Sequence, residues 1–560
     1  MAGQRAAPVR QRPIATAPKL TTPPSPFLRA EALVLLALIV AAALRFTNLG
    51  GLPPGLNQDE AVSGYDAYSL LRTGRDHHGH PLSLAGLESF GDWASPLLTF
   101  LTIPAIALFG LKVETLRLVS ATIGVLVVPL LYWLGRELFG QQRLGVAAAW
   151  IIALSPAHTS LSRWAIPPTL VPTFVTLTLL AVVWAIRRRS DRGIVVACIA
   201  AALTILAYPT MKLYVPLLGL ATVIVYWRTL LHFRREALAY GAIALVLLAG
   251  PTYYLSTRDP GGRARLAQES IFSQANLQVD APFLARQYFS YFSPSYLFAP
   301  GYGDQMHLPG RFGVDPRALA PLLLLGLLAL IFGVMRRNGE EAKWFPWLQR
   351  QPAALLLLAI ICYPIPGSLT RPAPHLLRGA QYFPLAALCA AIGIAVLSEG
   401  VARLIAGRQQ ALMRVALATL LLVPALPEVV TRQRYYFTAY GDSVVWHYQY
   451  GLHEALEFAI AQQARYDEIW IDRTNQPYIY VLFYTRADPS AVHTGLQVRR
   501  QPPYFNSVGA FGKYRFGDPA NGGQMALPVL YTIARPTGQI RYEVRGGVYN
   551  NRRILLIRKP

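Results

Sequence analysis

Cysteine is almost missing from this chain. Its three copies in 560 residues, Cys198, Cys362 and Cys389, all fall inside apolar runs, which excludes a disulfide-stapled secreted scaffold. Charge is scarce as well: 14% of residues are Asp, Glu, Lys or Arg, while 53% are hydrophobic. A soluble domain carries about 25% charged residues. The composition therefore excludes a soluble enzyme and a disordered chain, and points to a polytopic membrane protein. Acid is the scarcer sign, 29 residues against 52 basic ones, for a formal net charge of +23. Such an excess can mark a nucleic-acid binder. Here the basic residues cluster in short stretches between apolar runs, as the positive-inside rule produces, so the expected partner is a lipid bilayer and not nucleic acid.

Residues 1–28 are rich in Pro, Ala, Thr and Arg without periodicity and read as a disordered cytoplasmic tail. A first span follows, over the apolar run from Ala32 to Leu49. Further spans are expected at about 115–135, 143–160, 166–186, 193–209, 212–228, 237–256, 317–335, 352–369, 378–398 and 411–427, eleven in all. Alternate threading makes the loops 135–143, 187–192, 228–235, 336–343 and 403–414 cytoplasmic, each of them basic. The run Pro96–Gly110 is too short to span and Pro104 interrupts it, so it reads as an interfacial or re-entrant helix closing the first outer loop, 48–114. A long outer loop covers 257–316. Residues 29–430 thus form a membrane domain. Over 431–560 the pattern changes to short alternating pieces, Glu468–Asp472 and Ile554–Ile557, with an amphipathic helix at Glu454–Ala464. That reads as a small α/β domain on the outer face, folding separately.

The first outer loop holds the most informative residues. Asp59 and Glu60 follow the first span at once and open a helical stretch that includes Tyr65. A paired acid in the first turn is either a cap or a carboxylate waiting at the mouth of a membrane cavity. Asp92 stands before the interfacial helix, with the same two readings. Between them His77, His78 and His80 match no standard zinc spacing and read as a solvated turn. On the outer side Arg163, Lys212 (between Tyr208 and Tyr214), Arg371, His375 and Arg378 break the positive-inside rule. Any one of them can be a snorkelling anchor; together they suggest an anionic, phosphate-bearing ligand.

Missing motifs narrow the chemistry further. The chain has no P-loop, dinucleotide fingerprint, Gly-x-Ser-x-Gly elbow or His-Glu-x-x-His. It also has no Asp-x-Asp, the metal–nucleotide handle of soluble sugar transferases, so a phosphate-linked donor would be carried on a lipid.

Asn57-Gln58-Asp59-Glu60, Ser89-Phe90-Gly91-Asp92, Leu161-Ser162-Arg163, the Tyr208–Tyr214 turn and the stretch Ser368–Arg378 together resemble the GT-C membrane glycosyltransferases. The nearest branch is the bacterial family-39-like one, related to protein O-mannosyltransferases and the aminoarabinose transferase of lipid A. The match runs in order over about 30–430. The sequence departs from the family in its loop histidines and at Trp164–Pro168. The resemblance implies an inverting transfer of a hexose or pentose from a polyprenyl-phosphate donor to a protein, lipid or glycan hydroxyl on the outer face of the cell membrane. Asp59 would be the base, Glu60 would orient the loop and Asp92 would hold a sugar. Arg163, Lys212, Arg371, His375 and Arg378 would bind the donor phosphate, and Tyr65, Tyr208 and Tyr214 would line the cavity. No cofactor or metal ligand is expected, and a divalent metal stays open. Two other classes remain: a transporter or flippase for a lipid-linked anion, which has no need of a base, and a scaffold, which needs neither base nor cations.

Overall fold

The computed structural model describes residues 30–260, 262–263, 269–273, 279–301, 306–336, 345–404, 410–472, 475–500, 506–517, 528–534, 540–549 and 552–559. The tail expected over 1–28 lies outside them. Every apolar run expected to span is helical. In chain order the helices are α1 (Ala30–Phe46), α2 (Gln58–Thr73), α3 (Leu97–Phe109), α4 (Val113–Phe139), α5 (Gln142–Leu154), α6 (Pro156–Ser162), α7 (Val171–Arg188), α8 (Asp191–Ala207), α9 (Met211–Leu230) and α10 (Arg235–Arg258). They continue with α11 (Ala281–Ser290), α12 (Ala320–Met335), α13 (Arg350–Cys362), α14 (Tyr382–Leu404), α15 (Gln410–Leu422), α16 (Leu426–Thr438), α17 (Leu452–Gln462) and α18 (Pro477–Thr485), beside the short helical turns Pro294–Leu297, Ile365–Ser368, Tyr440–Ser443 and Pro489–Gly495.

Length separates these helices. Seven helical segments among the described residues are long and apolar enough to cross a membrane: Val113–Phe139, Pro167–Arg188, Met211–Leu230, Arg235–Arg258, Arg317–Met335, Arg350–Ser368 and Tyr382–Arg403. The run expected as one straight span at 143–160 is instead the pair α5 and α6, bent by 65°. Ser155 makes the break: its hydroxyl accepts from the His158 amide and Pro156 follows at the first helical position. The carbonyls that the break leaves over are claimed by Arg45, whose guanidinium donates to Ile152 and Ala153 at 3.1 Å each. Among the described residues α1 and α8 have 17 residues each and α15 has 13, so the expected count of eleven full spans is not confirmed.

The bundle has two chemically distinct ends. At one, Arg188 pairs with Glu137, Arg234 with Asp191 and Arg403 with Glu399. These are the basic loops that the threading grouped on one side. At the other end the α1–α2 connection, the α6–α7 connection and residues 440–450 pack together around Trp164, Tyr436, Tyr440 and Tyr448. Helix α10 stays on the outside, with Tyr240, Val246, Leu247 and Tyr254 exposed along its length, an arrangement that suits hydrocarbon rather than water. Helix α3 packs on α2 and α4 and leaves Leu108 and Phe109 exposed at its tip.

The C-terminal part carries a mixed sheet of β3 (Glu468–Ile471), β6 (Ala510–Phe511), β7 (Tyr514–Phe516), β8 (Val529–Ala534), β9 (Ile540–Tyr549) and β10 (Arg552–Arg558), in the order β6-β7-β3-β10-β9-β8. Strand β3 runs parallel to both β10 and β7, and the other pairings are antiparallel. Two shorter pairs stand apart: β1 (Leu87–Glu88) with β2 (Trp93–Ala94), and β4 (Val498–Arg499) with β5 (Ser507–Val508). The expectation of a separate domain is corrected by the packing. Val62 and Tyr65 of α2 share one core with Leu456 of α17, Ile479 and Phe483 of α18, and Leu555 of β10. The first loop and the C-terminal sheet share one core, in which α2 is covered by α3 on one side and by α18 on another.

Candidate active site

The acid pair at the start of α2 divides into two roles. Asn57 is the N-cap, accepting from the Asp59 amide at 2.9 Å, and Glu60 closes a capping box by accepting from the Asn57 amide at 3.1 Å. Glu60 is fully buried. Its carboxylate takes Nε and Nη2 of Arg117, both at 2.9 Å, and the amide of Ala165 at 3.0 Å. Removing one member of such a pair costs about 3–5 kcal/mol, so Glu60 braces the loop and has no lone pair left for a substrate. Asp59, one residue earlier on the helix, is exposed. The loop is built to present that carboxylate.

Arg117 is a residue the sequence reading missed. Besides Glu60 it holds the carbonyls of Leu49, Pro53 and Gly55. An Arg in the first turns of the apolar α4, at the end away from the basic loops, is the signal that could have found it. Arg163 does the equivalent for α1. It is fully buried and donates to the carbonyls of Leu44, Arg45, Asn48 and Leu52 and to the Tyr436 hydroxyl. All its capacity goes to capping the C-terminal end of α1, and this corrects its expected role as a phosphate ligand. Two of the expected cavity tyrosines are corrected as well. Tyr65 is buried with its hydroxyl on the Ala487 carbonyl, and Tyr214 is buried with its hydroxyl on Ala359. Both join helices and leave no face for a substrate. Tyr208 is buried at the end of α8.

The other cations do gather. The α9 start, with Lys212, packs against Ile365–Ser368, which leads directly into Arg371. Lys212 is half-buried and its Nζ lies 2.5 Å from Ser256 Oγ. Arg371 is exposed beside the ring of Phe283, 5.4 Å from its centroid. Arg378 is nearly buried, 3.3 Å from Glu269, and donates to the Thr370 hydroxyl and the Arg371 carbonyl. The His375 ring lies 4.7 Å from that of His307, tilted by 60°, and His307 lies 5.7 Å from Trp164. Trp164 in turn lies 5.7 Å from Tyr448, whose ring faces Arg117. This run of rings connects the Asp59 loop to the cationic stretch, so both belong to one end of the bundle.

Asp92 is not the cap of α3, whose N-cap is Pro96. It sits in the β1–β2 hairpin turn, buried, where its carbonyl accepts from Ser89. The hairpin is held on both sides: the Phe90 carbonyl accepts from Asn506, and Trp93 Nε1 donates to Asp259 at 2.7 Å. Asp259 closes α10 just beyond Ser256, which brings the Asp92 hairpin beside Lys212.

The histidine loop is also corrected. His77 is fully buried, with Nδ1 2.6 Å from Asp66 Oδ1 and Nε2 3.2 Å from the Tyr478 hydroxyl. His78 Nε2 reaches the Ser89 carbonyl, and His80 lies between Asp76 and Glu88. Burial pushes Asp66 up to about 8 and His77 down to about 4. The loop is a polar seam joining α2 to α18. Among the described residues no group of three or more His, Cys, Asp or Glu side chains is placed to hold a metal ion.

Comparison with known proteins bears on the fold. Residues 94–254 match the family model described as dolichyl-phosphate-mannose-protein mannosyltransferase. The Archaeoglobus fulgidus oligosaccharyltransferase superposes with a TM-score of 0.53 at 14% identity, over 81% of this chain and 63% of that one. The fold is that of the GT-C membrane glycosyltransferases. Two other GT-C structures align with lower scores: ArnT from Cupriavidus metallidurans (0.48, 15% identity, 81% of this chain and 83% of that one) and the Saccharomyces cerevisiae Pmt1–Pmt2 complex (0.32, 16% identity, 46% and 38%). No curated protein matches the sequence. In this chain Asp59 lies just after α1, where the first loop enters α2, and Lys212, Arg371 and Arg378 lie at the same end of the bundle.

Proposed function

We propose that this chain is an inverting glycosyltransferase that moves a sugar from a polyprenyl-phosphate donor to an acceptor hydroxyl at the extracytoplasmic face of a cell membrane. The observation that carries this reading is the division of the acid pair: Glu60 is locked to Arg117, and the loop it stiffens holds Asp59 exposed. The acceptor oxygen attacks the anomeric carbon from the side opposite the phosphate. The bond between that carbon and the phosphate oxygen breaks, its electron pair stays on the phosphate, and the acceptor proton passes to Asp59. Charge grows on the departing polyprenyl phosphate, where Lys212, Arg371 and Arg378 supply cations. Asp92, in the hairpin beside Lys212, is assigned to holding a sugar. The fold is shared with an archaeal oligosaccharyltransferase whose structure contains dolichol-phosphate, and the matched family is described by a dolichyl-phosphate sugar; both agree with a lipid-phosphate donor.

The test is release of polyprenyl phosphate from labelled polyprenyl-phosphate sugars by the purified protein in the presence of acceptor. Asp59→Asn should lower turnover by about 10²–10⁴-fold with donor affinity little changed. Asn57 is the cap, so the substitution leaves helix initiation intact. Near-normal release by a well-folded Asp59→Asn protein would sink the assignment.

A further inference from the structure

At the end of the bundle opposite Asp59, α5, α14 and α15 leave a cleft between them. Its mouth is polar, lined by Gln141, Arg143, Ser398, Glu399 and Arg414 beside the Trp347 ring, and its throat is apolar, lined by Leu144, Ala147, Ala391, Ile394, Ala395 and Ala418. On α14 these positions run from Ala391 to Glu399, one face of the helix over about 12 Å at 1.5 Å per residue. The cleft opens to solvent at its mouth, and its interior volume is about 40 Å³.

The charges at the mouth are unequally satisfied. Glu399 is used up: Trp347 Nε1 donates to it at 2.7 Å and Arg403 at 2.8 Å. Neither Arg143 nor Arg414 has a hydrogen-bond or ion-pair partner among the described residues, and Arg414 Nε is shut off from solvent as well. The two guanidiniums repel each other, and for Arg143 this repulsion outweighs the attraction of Glu399, which makes no direct ion pair with it. An unpaired, partly dehydrated guanidinium pair is costly unless an anion bridges it. Planar donors suit phosphate oxygens, and the apolar throat directly below the mouth suits hydrocarbon. We propose that this cleft is a binding site for an anionic glycerophospholipid, with its phosphate between Arg143 and Arg414 and an acyl chain along Ala147, Ala391 and Ala418. The cleft sits at the end that collects the basic loops, which the positive-inside rule places against the leaflet richest in anionic lipid. The site is separate from the Asp59 end and does not depend on the transferase reading.

Native mass spectrometry of the purified protein, after exchange into detergent with phosphatidylglycerol or phosphatidylcholine, tests this. The wild type should retain phosphatidylglycerol at least tenfold over phosphatidylcholine. Arg143→Gln with Arg414→Gln should abolish the preference, Arg143→Lys with Arg414→Lys should keep part of it, and Ala391→Trp, which fills the throat but leaves the charges, should reduce retention. An unchanged preference in the double Gln variant overturns the site. So does full displacement of the lipid by inorganic phosphate, because the cleft would then read an anion without its chains. If the double Gln variant does not fold, the Ala391→Trp protein decides alone: undiminished lipid retention by it overturns the proposal.

Discussion

Arg163 and Arg378 look alike in the sequence, as outer-end arginines that break the charge rule, yet their surroundings separate them. Arg163 spends its donors on four backbone carbonyls and one tyrosine hydroxyl. Arg378 is tied to Thr370, to the Arg371 carbonyl and to Glu269, a carboxylate that a phosphate can replace. Arg163→Gln should therefore lower the apparent melting temperature in detergent and cut turnover and folded yield together, with the donor KM of the surviving protein unchanged. Arg378→Ala should raise the donor KM and slow turnover at little cost in stability. Steady-state kinetics alongside thermal unfolding of the two variants checks the contrast; a raised donor KM in a stable Arg163→Gln protein would restore Arg163 as a phosphate ligand.

At the scale of elements, the docking of α2 on α18 depends on a buried Asp66–His77 pair, and its pH dependence can be worked out. When the seam is open, Asp66 and His77 titrate near 3.8 and 6.5; when it is closed, burial moves them to about 8 and about 4. Between about pH 4 and 6.5 the open state carries its proton on His77 and the closed state carries one on Asp66. Proton counts are equal there and this pair contributes no slope. From pH 6.5 to 8 the closed state still holds a proton that the open state has lost, so docking weakens as pH rises. Protease protection of the C-terminal region should decline over that upper window and stay level from this source below it. Asp66→Asn, which cannot titrate, should flatten the upper limb. A protection profile that is unchanged by Asp66→Asn would contradict the assignment.

For the whole molecule, the shared core decides what can be removed. Deleting everything after Leu426 strips α17, α18 and the sheet from the apolar face of α2, exposing Val62, Tyr65 and Leu70, which are buried in the intact chain. It also removes Tyr448, whose carbonyl accepts from the Leu56 amide, and Tyr436, a partner of Arg163. The truncated chain should give no monodisperse protein by size-exclusion chromatography in detergent. Recovery of a stable truncated membrane part would show that the C-terminal region is the accessory that its alternating pattern suggests.

Periodicity and composition by themselves determined the helical membrane architecture, the short apolar helix α3, the strand-bearing C-terminal end and the grouping of basic loops, because each of these follows from local hydrophobic patterning along the chain. The candidate site was only partly legible. Asp59 and the stretch from Arg371 to Arg378 stood out because charge in a membrane protein is expensive and therefore conspicuous. Which of two adjacent acids is exposed, which arginine caps a helix and which pairs with a carboxylate, and whether three histidines lie in water or in a buried seam all depend on partners more than a hundred residues away, such as Ala165 on Glu60 and Tyr478 on His77. Burial and hydrogen-bond saturation are properties of the folded neighbourhood, so only the tertiary structure could decide them.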